Sequence, residues 1–143
     1  MRTRASGERL TIGLIAHDNT KWQLLAWADK HKQLLREYCL VATGTTGRLL
    51  QNDLGLEVER LASGPLGGDL QLGARIVEGK LDALMFFWDP LEPAPHDPSV
   101  VNLLRIAVLR DLPTASNAAT ADIVLNALEL VRAQEPPMIQ SVS

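Results

Sequence analysis

The 143-residue chain has little cysteine, few aromatic residues and no excess of positive charge. With Cys39 as its single cysteine it cannot form an internal disulfide, which is typical of proteins from a reducing compartment. Aromatic residues make up 4% of the chain, and the net charge of −3 supplies no basic field for a nucleic-acid backbone. We therefore expect no nucleic-acid partner, and we interpret Cys39 as a small buried hydrophobic residue.

Long hydrophobic runs are also missing. The first ten residues, MRTRASGERL, lack the continuous apolar segment of a signal peptide, and no run approaches the roughly 18 to 20 apolar residues that cross a bilayer. We expect a cytoplasmic protein without a membrane partner. A hydrophobic content of 46% predicts one domain over residues 1–143, with a core of about 9–132 and a flexible tail over 133–143.

Short apolar runs rich in β-branched residues alternate with stretches of helical period, a pattern typical of βαβ units. It predicts an α/β protein with a Rossmann-like, doubly wound, mainly parallel five-stranded sheet flanked by helices. The strands are expected at 10–17, 38–43, 56–63, 83–89 and 113–117, with the third near an edge. The helices are expected at 19–37, 44–54, about 68–79, 99–112 and 119–134, and Gly55 can end the second of them.

Helical spacing also predicts which side chains face the core. The first helix should direct one face inward, comprising Trp22, Leu25, Ala28 and Leu35. The fourth helix should do the same with Val100, Leu103, Leu104, Ala107 and Val108. His31 lies in the charged stretch ADKHKQ, which favours a surface position.

Four polar clusters follow predicted strands, at the point where each strand ends. They are His17-Asp18, Thr43 to Thr46, Ser63 to Asp69, and Asp89 to His96. Ligands of doubly wound sheets bind outside the carboxyl ends of the strands. We therefore predict one shared site built from these four clusters.

The chemistry of the clusters favours an anionic substrate. The turn ATGTTG offers hydroxyl and backbone N–H donors that suit a phosphate, and Lys21 could reach the same anion, although such a turn can also simply cap a helix. Asp69 follows the glycine-rich stretch SGPLGGD and is either a helix cap or a reactive group. Asp18 and Asp97 each follow a histidine, which they could orient, or each could cap the next helix.

The sequence contains no motif for a metal site or for a serine nucleophile. The chain has no HxH or HExxH pair and no cysteine cluster, so we expect no metal, and it has no GxSxG elbow for a serine nucleophile. A phosphate cradle, a carboxylate on a glycine-rich loop and histidines that can polarise a carbonyl remain. Together they indicate a phosphorylated carbonyl substrate that undergoes enolisation.

Five blocks extend this interpretation: AHDNTK, ATGTTG, SGPLGGDLQ, FFWDPLEPAPHDP and SNAATAD. In this order, between about residues 9 and 125, they resemble the signature blocks of the methylglyoxal synthase family. The resemblance implies a lyase that converts dihydroxyacetone phosphate to methylglyoxal and inorganic phosphate through an enediolate. It further implies no cofactor and a homohexamer inhibited by phosphate.

The resemblance also implies roles for individual residues. Asp69 would be the base that removes a proton, and His96 would stabilise the enediolate. The substrate and its phosphate would be held by His17, Lys21, Thr43, Gly44, Thr45, Thr46, Ser63 and Gly64. Supporting positions would be Asp18, Asp89 and Asp97.

Two observations leave alternatives open. Ser99 stands where the family pattern has an aspartate; it still suits a helix N-cap, but it removes a charge near His96. The same fold also serves as a non-catalytic effector-binding regulatory domain, which would need only the phosphate cradle.

Overall fold

A parallel sheet forms the centre of the protein. The computed structural model describes residues 8–92 and 98–134, and there the sheet has five strands in the order β3-β2-β1-β4-β5. The strands are β1 (Thr11–Ala16), β2 (Cys39–Ala42), β3 (Glu59–Arg60), β4 (Ala83–Phe87) and β5 (Thr114–Ala115). Ile12 of β1 pairs with Leu40 on one side and Ala83 on the other. The predicted α/β fold with five parallel strands is confirmed.

Helices cover both faces of this sheet. They are α1 (Lys21–Lys30), α2 (Lys32–Leu35), α3 (Gly44–Leu54), α4 (Gly68–Val77), α5 (Pro98–Leu109) and α6 (Ala118–Gln134), with 3-10 turns at Asp18–Thr20 and Gly64–Leu66. One core cluster packs side chains of α1, α3 and α6 against the sheet, and a second packs those of α4 and α5. None of the helices within residues 8–92 and 98–134 is long and apolar enough to cross a membrane.

The strand order creates a switch point between β1 and β4. The chain runs outward from β1 through β2 to β3 and then returns to place β4 on the other side of β1. The loops that leave β1 and β4 therefore diverge to opposite faces of the sheet, and a crevice opens at their carboxyl ends.

The predicted helix faces were wrong at two positions. Trp22 is 66% exposed, because the buried stripe of the first helical region follows Leu24, Trp27 and Ala28. Val108 is 82% exposed, because α5 buries the stripe of Val100, Leu103 and Ala107 against the sheet and leaves its other side in solvent. The predicted helix over 19–37 is also divided, since α1 ends before His31 and α2 begins after it.

His31 and Cys39 differ from the expectations as well. The Nε2 atom of His31 lies 2.7 Å from Oδ1 of Asp122 in α6, and the histidine side chain is only 18% exposed. This contact joins residues 91 positions apart, so the local charge pattern could not reveal it. Cys39 is exposed, because it begins β2 at the amino edge of the sheet, whereas the rest of that strand is buried.

Two element boundaries also differ. The third strand was expected over 56–63, but β3 is a two-residue strand at the sheet edge. The helix α5 begins at Pro98, because proline suits the first helical position, so Ser99 is the second residue of the helix and not its N-cap.

Candidate active site

A cavity of about 690 Å³ lies where the carboxyl ends of the strands meet the helix starts. It brings together most of the predicted site residues: His17, Asp18, Lys21, Thr43, Thr45, Ser63, Gly64 and Asp69. A second cavity of about 640 Å³ lies at the opposite edge, next to Cys39 and the start of β2. Only the first collects helix N-termini together with the clusters expected from the sequence, and it is the candidate active site.

The start of α3 supplies donors for an anion. Gly44 N donates to Ala62 O at 3.1 Å, and Gly47 N donates to Thr43 O at 2.8 Å. Helix geometry leaves the N–H groups of Thr45 and Thr46 without an intrahelical acceptor. A Cβ on Gly44 would lie 2.9 Å from Ser63 N, so glycine allows the start of α3 to approach the next loop. The two N–H groups and the helix dipole suit a phosphate.

The hydroxyl of Thr46 does not reach this cavity. The residue is 2% exposed, and its Oγ1 has no hydrogen-bond partner among the residues that the structure describes. Thr46 is not among the residues that line the cavity, whereas Thr43 and Thr45 are.

Lys21 lies beside the same cavity and is anchored on two sides. Its Nζ donates to Ala16 O and to Asp18 Oδ1, both at 2.9 Å, which leaves an ammonium N–H for a ligand. The lysine hydrogen bond and charge lower the pKa of the Asp18 carboxyl, whose side chain is 94% exposed. Asp18 thus orients Lys21, not the neighbouring histidine.

His17 follows β1 at the switch point, and its tautomer is set by the backbone. Asp89 N donates to His17 Nδ1 at 2.9 Å, so Nδ1 must be an acceptor and the proton of the neutral ring is on Nε2. Glu92 Oε2 lies 3.4 Å from the same Nδ1 and would attract a protonated ring. The backbone donor occupies the Nδ1 lone pair, which leaves Nε2–H as the donor of the ring.

Asp89 is buried behind His17, and its carboxylate does not line the cavity. Oδ1 accepts a hydrogen bond from Leu91 N at 2.8 Å, and Oδ2 accepts one from Asn19 Nδ2 at 3.1 Å. These two bonds, that of Leu91 above all, lower the pKa of the Asp89 carboxyl. Its carboxylate shapes the turn, and its backbone N–H contacts His17.

Asp69 lies in the first turn of α4, on a backbone that only glycine allows. Gly67 has a φ of 102°, and a Cβ on Gly68 would lie 1.9 Å from Ala62 O. The N-cap of α4 is Gly67, so Asp69 is not the cap. Among residues 8–92 and 98–134, no hydrogen-bond or ion-pair partner of its carboxylate was found, and the residue lines the cavity half-buried.

The remaining predicted residues occupy other places. Gly44 supports the cavity from behind, and His96 and Asp97 lie outside the described residues. Sequence reasoning missed Glu92, which lines the cavity beside His17, and gave Asn19 no role in the site. Both belong to the quoted signature blocks, which was the available signal. Within the described part of the chain, no three His, Cys, Asp or Glu side chains are grouped as a metal ion would need.

Comparison with known proteins shows the family of the chain. The family model of the MGS-like domain matches residues 23–116. The methylglyoxal synthase of Photorhabdus laumondii is 52% identical over 126 residues, covering 88% of this chain and 83% of that protein. The chain belongs to the methylglyoxal synthase family. The methylglyoxal synthase of Pseudoalteromonas atlantica is 58% identical over 115 residues, covering 80% of this chain and 85% of its own.

A solved structure agrees with this family. The methylglyoxal synthase of Elizabethkingia anophelis NUHP1 aligns with a TM-score of 0.77 and 50% identity, covering 82% of this chain and 77% of that one. The predicted family, fold class and enzyme class are confirmed: the chain is an enzyme, a lyase of the methylglyoxal synthase type.

Proposed function

We propose that the cavity binds dihydroxyacetone phosphate and converts it to methylglyoxal and inorganic phosphate. The observation that carries this proposal is the pairing of an uncommitted carboxylate, Asp69, with the open N–H groups at the start of α3 on one cavity. The first suits a base and the second suits a phosphate, and the substrate contains both an acidic C–H and a phosphate.

The phosphate binds at the start of α3. Lys21, Thr43 and Thr45 line this end of the cavity, and their ammonium and hydroxyl groups are hydrogen-bond donors. The N–H groups of Thr45 and Thr46, left open by helix geometry at the start of α3, are two further donors. Ser63 and Gly64 form the adjoining wall; because a Cβ on Gly64 would meet nothing within 4 Å, its lack of a side chain leaves room for the substrate. The phosphate thus binds through backbone N–H groups, threonine hydroxyls and the positive charge of Lys21.

Asp69 removes a proton from the carbon that carries the free hydroxyl. The electron pair of that C–H bond forms the carbon–carbon double bond of an enediolate, and negative charge develops on the former carbonyl oxygen. The Nε2–H of His17 is a donor for a substrate oxygen, and we assign His96 the role of stabilising the enediolate, as the family resemblance implies. Asp18 orients Lys21, and Asp89 holds His17.

Elimination then completes the reaction. The hydroxyl oxygen on the deprotonated carbon forms the aldehyde C=O and its proton passes to the leaving phosphate. The carbon–carbon double bond shifts to the methylene carbon, the carbon–oxygen bond to the phosphate breaks, and inorganic phosphate leaves with the electron pair of that bond. The remaining enolate accepts a proton on its methylene carbon, and this carbon becomes the methyl group of methylglyoxal. No external oxidant or reductant takes part, and the proposal includes no cofactor. We also propose a cytoplasmic homohexamer that its product phosphate inhibits.

The test is Asp69→Asn, with Asp53→Asn as a matched control at an exposed position near the end of α3. Dicarbonyl formation from dihydroxyacetone phosphate is followed in buffer with EDTA. Asp69→Asn should lose on the order of 10² to 10⁴ in kcat, the usual share of a general base, and should still bind phosphate. The parent should remove one of the two hydrogens from stereospecifically deuterated substrate. A folded Asp69→Asn enzyme with parental kcat would assign the base elsewhere, and a parent without turnover would refute the function.

A further inference from the structure

Asn19 connects the two loops that meet at the switch point. It lies in the 3-10 turn after β1, and its Nδ2 donates to Oδ2 of Asp89, which follows β4. Asn19 is at the surface, whereas Asp89 is 8% exposed. The asparagine amide thus donates to the side chain of a nearly buried residue, where a polar atom without a hydrogen bond is costly.

The carboxylate of Asp89 also fixes the backbone of its own turn. Its Oδ1 accepts the N–H of Leu91, two residues ahead, which closes an Asx turn over residues 89–91. The backbone N–H of the same residue donates to His17 Nδ1 at 2.9 Å. The side-chain bonds of Asp89 therefore hold the conformation in which its N–H faces the histidine.

Two groups compete for His17 Nδ1. The N–H of Asp89 requires a lone pair on that nitrogen, whereas the Glu92 carboxylate, 3.4 Å away, requires a proton on it. The other charged groups close to this ring are Asp18, Lys21 and the Asp89 carboxylate. Whether His17 can donate a hydrogen bond from Nε2 into the cavity depends on which of these two groups contacts Nδ1.

We propose that Asn19 is a positioning residue: it holds the 89–91 turn so that the Asp89 N–H, and not Glu92, occupies His17 Nδ1, which keeps the proton on Nε2. This inference rests on the proposed function for the use of that proton. When the turn loosens, Nδ1 takes a proton and pairs with Glu92. The ring then becomes either a cation or the other neutral tautomer, whose bare Nε2 cannot donate to a substrate oxygen.

The first test observes the ring directly. Long-range ¹H–¹⁵N spectra of the folded enzyme at neutral pH distinguish the two neutral tautomers and the imidazolium, and His17→Gln assigns the signals among the three histidines. The parent should show the Nε2–H neutral form. Asn19→Asp keeps the side-chain size but loses the donor, and it should shift His17 toward protonated Nδ1. Asn52→Asp, at an exposed position in α3, adds the same charge away from the site and should leave the spectrum unchanged.

Second variants separate positioning from a general loss of folding. Adding Glu92→Gln to Asn19→Asp removes the competing carboxylate and should return His17 toward the neutral form. Asn19→Gln keeps an amide donor and should retain more of the Nε2–H form than Asn19→Asp.

The kinetic test uses dihydroxyacetone phosphate. Asn19→Asp should lower kcat by about tenfold to 10²-fold, the scale of a misplaced catalytic group, with a smaller change in KM, and Asn19→Gln should restore part of kcat. A folded Asn19→Asp enzyme with the parental ¹⁵N signature or the parental kcat would overturn the proposal. A parent that shows the Nε2–H form but no turnover would instead refute the proposed function.

Discussion

Helix α4 begins close to the loop that follows β3, and this contact allows a test of how strongly the position of Asp69 determines the rate. A Cβ built on Gly68 would lie 1.9 Å from Ala62 O and 2.8 Å from the carbonyl carbon. Real Cβ atoms essentially never come within 3.0 Å of another heavy atom, so Gly68→Ala must displace the start of α4 by about 1.1 Å. The obstacle is backbone, which cannot move aside as a flexible side chain would. The displacement falls on the residue directly before Asp69.

A displacement of about 1 Å is enough to cost about 10²-fold in rate, so Gly68→Ala should lose that factor in kcat and about 1 to 3 kcal/mol in stability. Gly73→Ala is the matched control on the same helix, since its Cβ would meet only Ile106 and Leu103, both at 3.7 Å. It should keep the parental kcat and gain up to about 1 kcal/mol, because alanine favours helix interiors. Steady-state kinetics and urea unfolding of both variants measure these effects. Parental kcat in Gly68→Ala would refute the argument that this contact positions the base.

Two further changes test the contacts of Lys21 and Asp122. Lys21→Ala should weaken binding of both the substrate and inorganic phosphate by roughly 10- to 150-fold, the value of a charge-assisted hydrogen bond; unchanged KM and unchanged phosphate inhibition would contradict this. The hydrogen bonds of His31, above all, and of Trp27 lower the pKa of the Asp122 carboxyl in the folded protein from its ordinary 3.8. The ionised carboxylate therefore stabilises the folded state fully above pH 3.8, and this contribution is lost as the pH falls through the lower pKa of the folded protein. Urea unfolding should therefore show Asp122→Ala less stable than the parent at neutral pH, and a difference that persists in strong acid would show that the carboxylate charge is not its cause.

The site could be predicted to the extent that it depends on strand ends. His17 and Thr43 directly follow strands that local periodicity reveals, and Asp69 follows the glycine-rich loop after the third strand. Parallel strands bring their carboxyl ends to one edge, which places these residues on one cavity. The contacts among them could not be predicted. Asn19 and Asp89 are 70 residues apart, and their hydrogen bond exists only because β1 and β4 are neighbours in the sheet.

The exposure of single side chains could likewise be predicted only in part. The buried run of β4 was evident from continuous hydrophobicity, whereas Trp22 and Val108 were assigned to the wrong side of their helices. Periodicity shows which side chains share a face of a helix, but packing against the sheet decides where the edges of the buried face lie. His31 was misjudged for a related reason, since its partner Asp122 belongs to the last helix.

Local sequence was enough to reveal the alternation of strands and helices, the glycines that allow α3 and α4 to begin where they do, and the signature blocks that resemble a known family. These features depend on interactions between near neighbours along the chain, such as steric limits and hydrophobic period. The fold brings the Asp89 N–H and the Glu92 carboxylate to His17 Nδ1 and joins Asn19 to Asp89, and none of these contacts could be read from the sequence. Hydrogen bonds act over about 3 Å, and the separation of two residues along the sequence does not reveal which of them the sheet will bring within that distance.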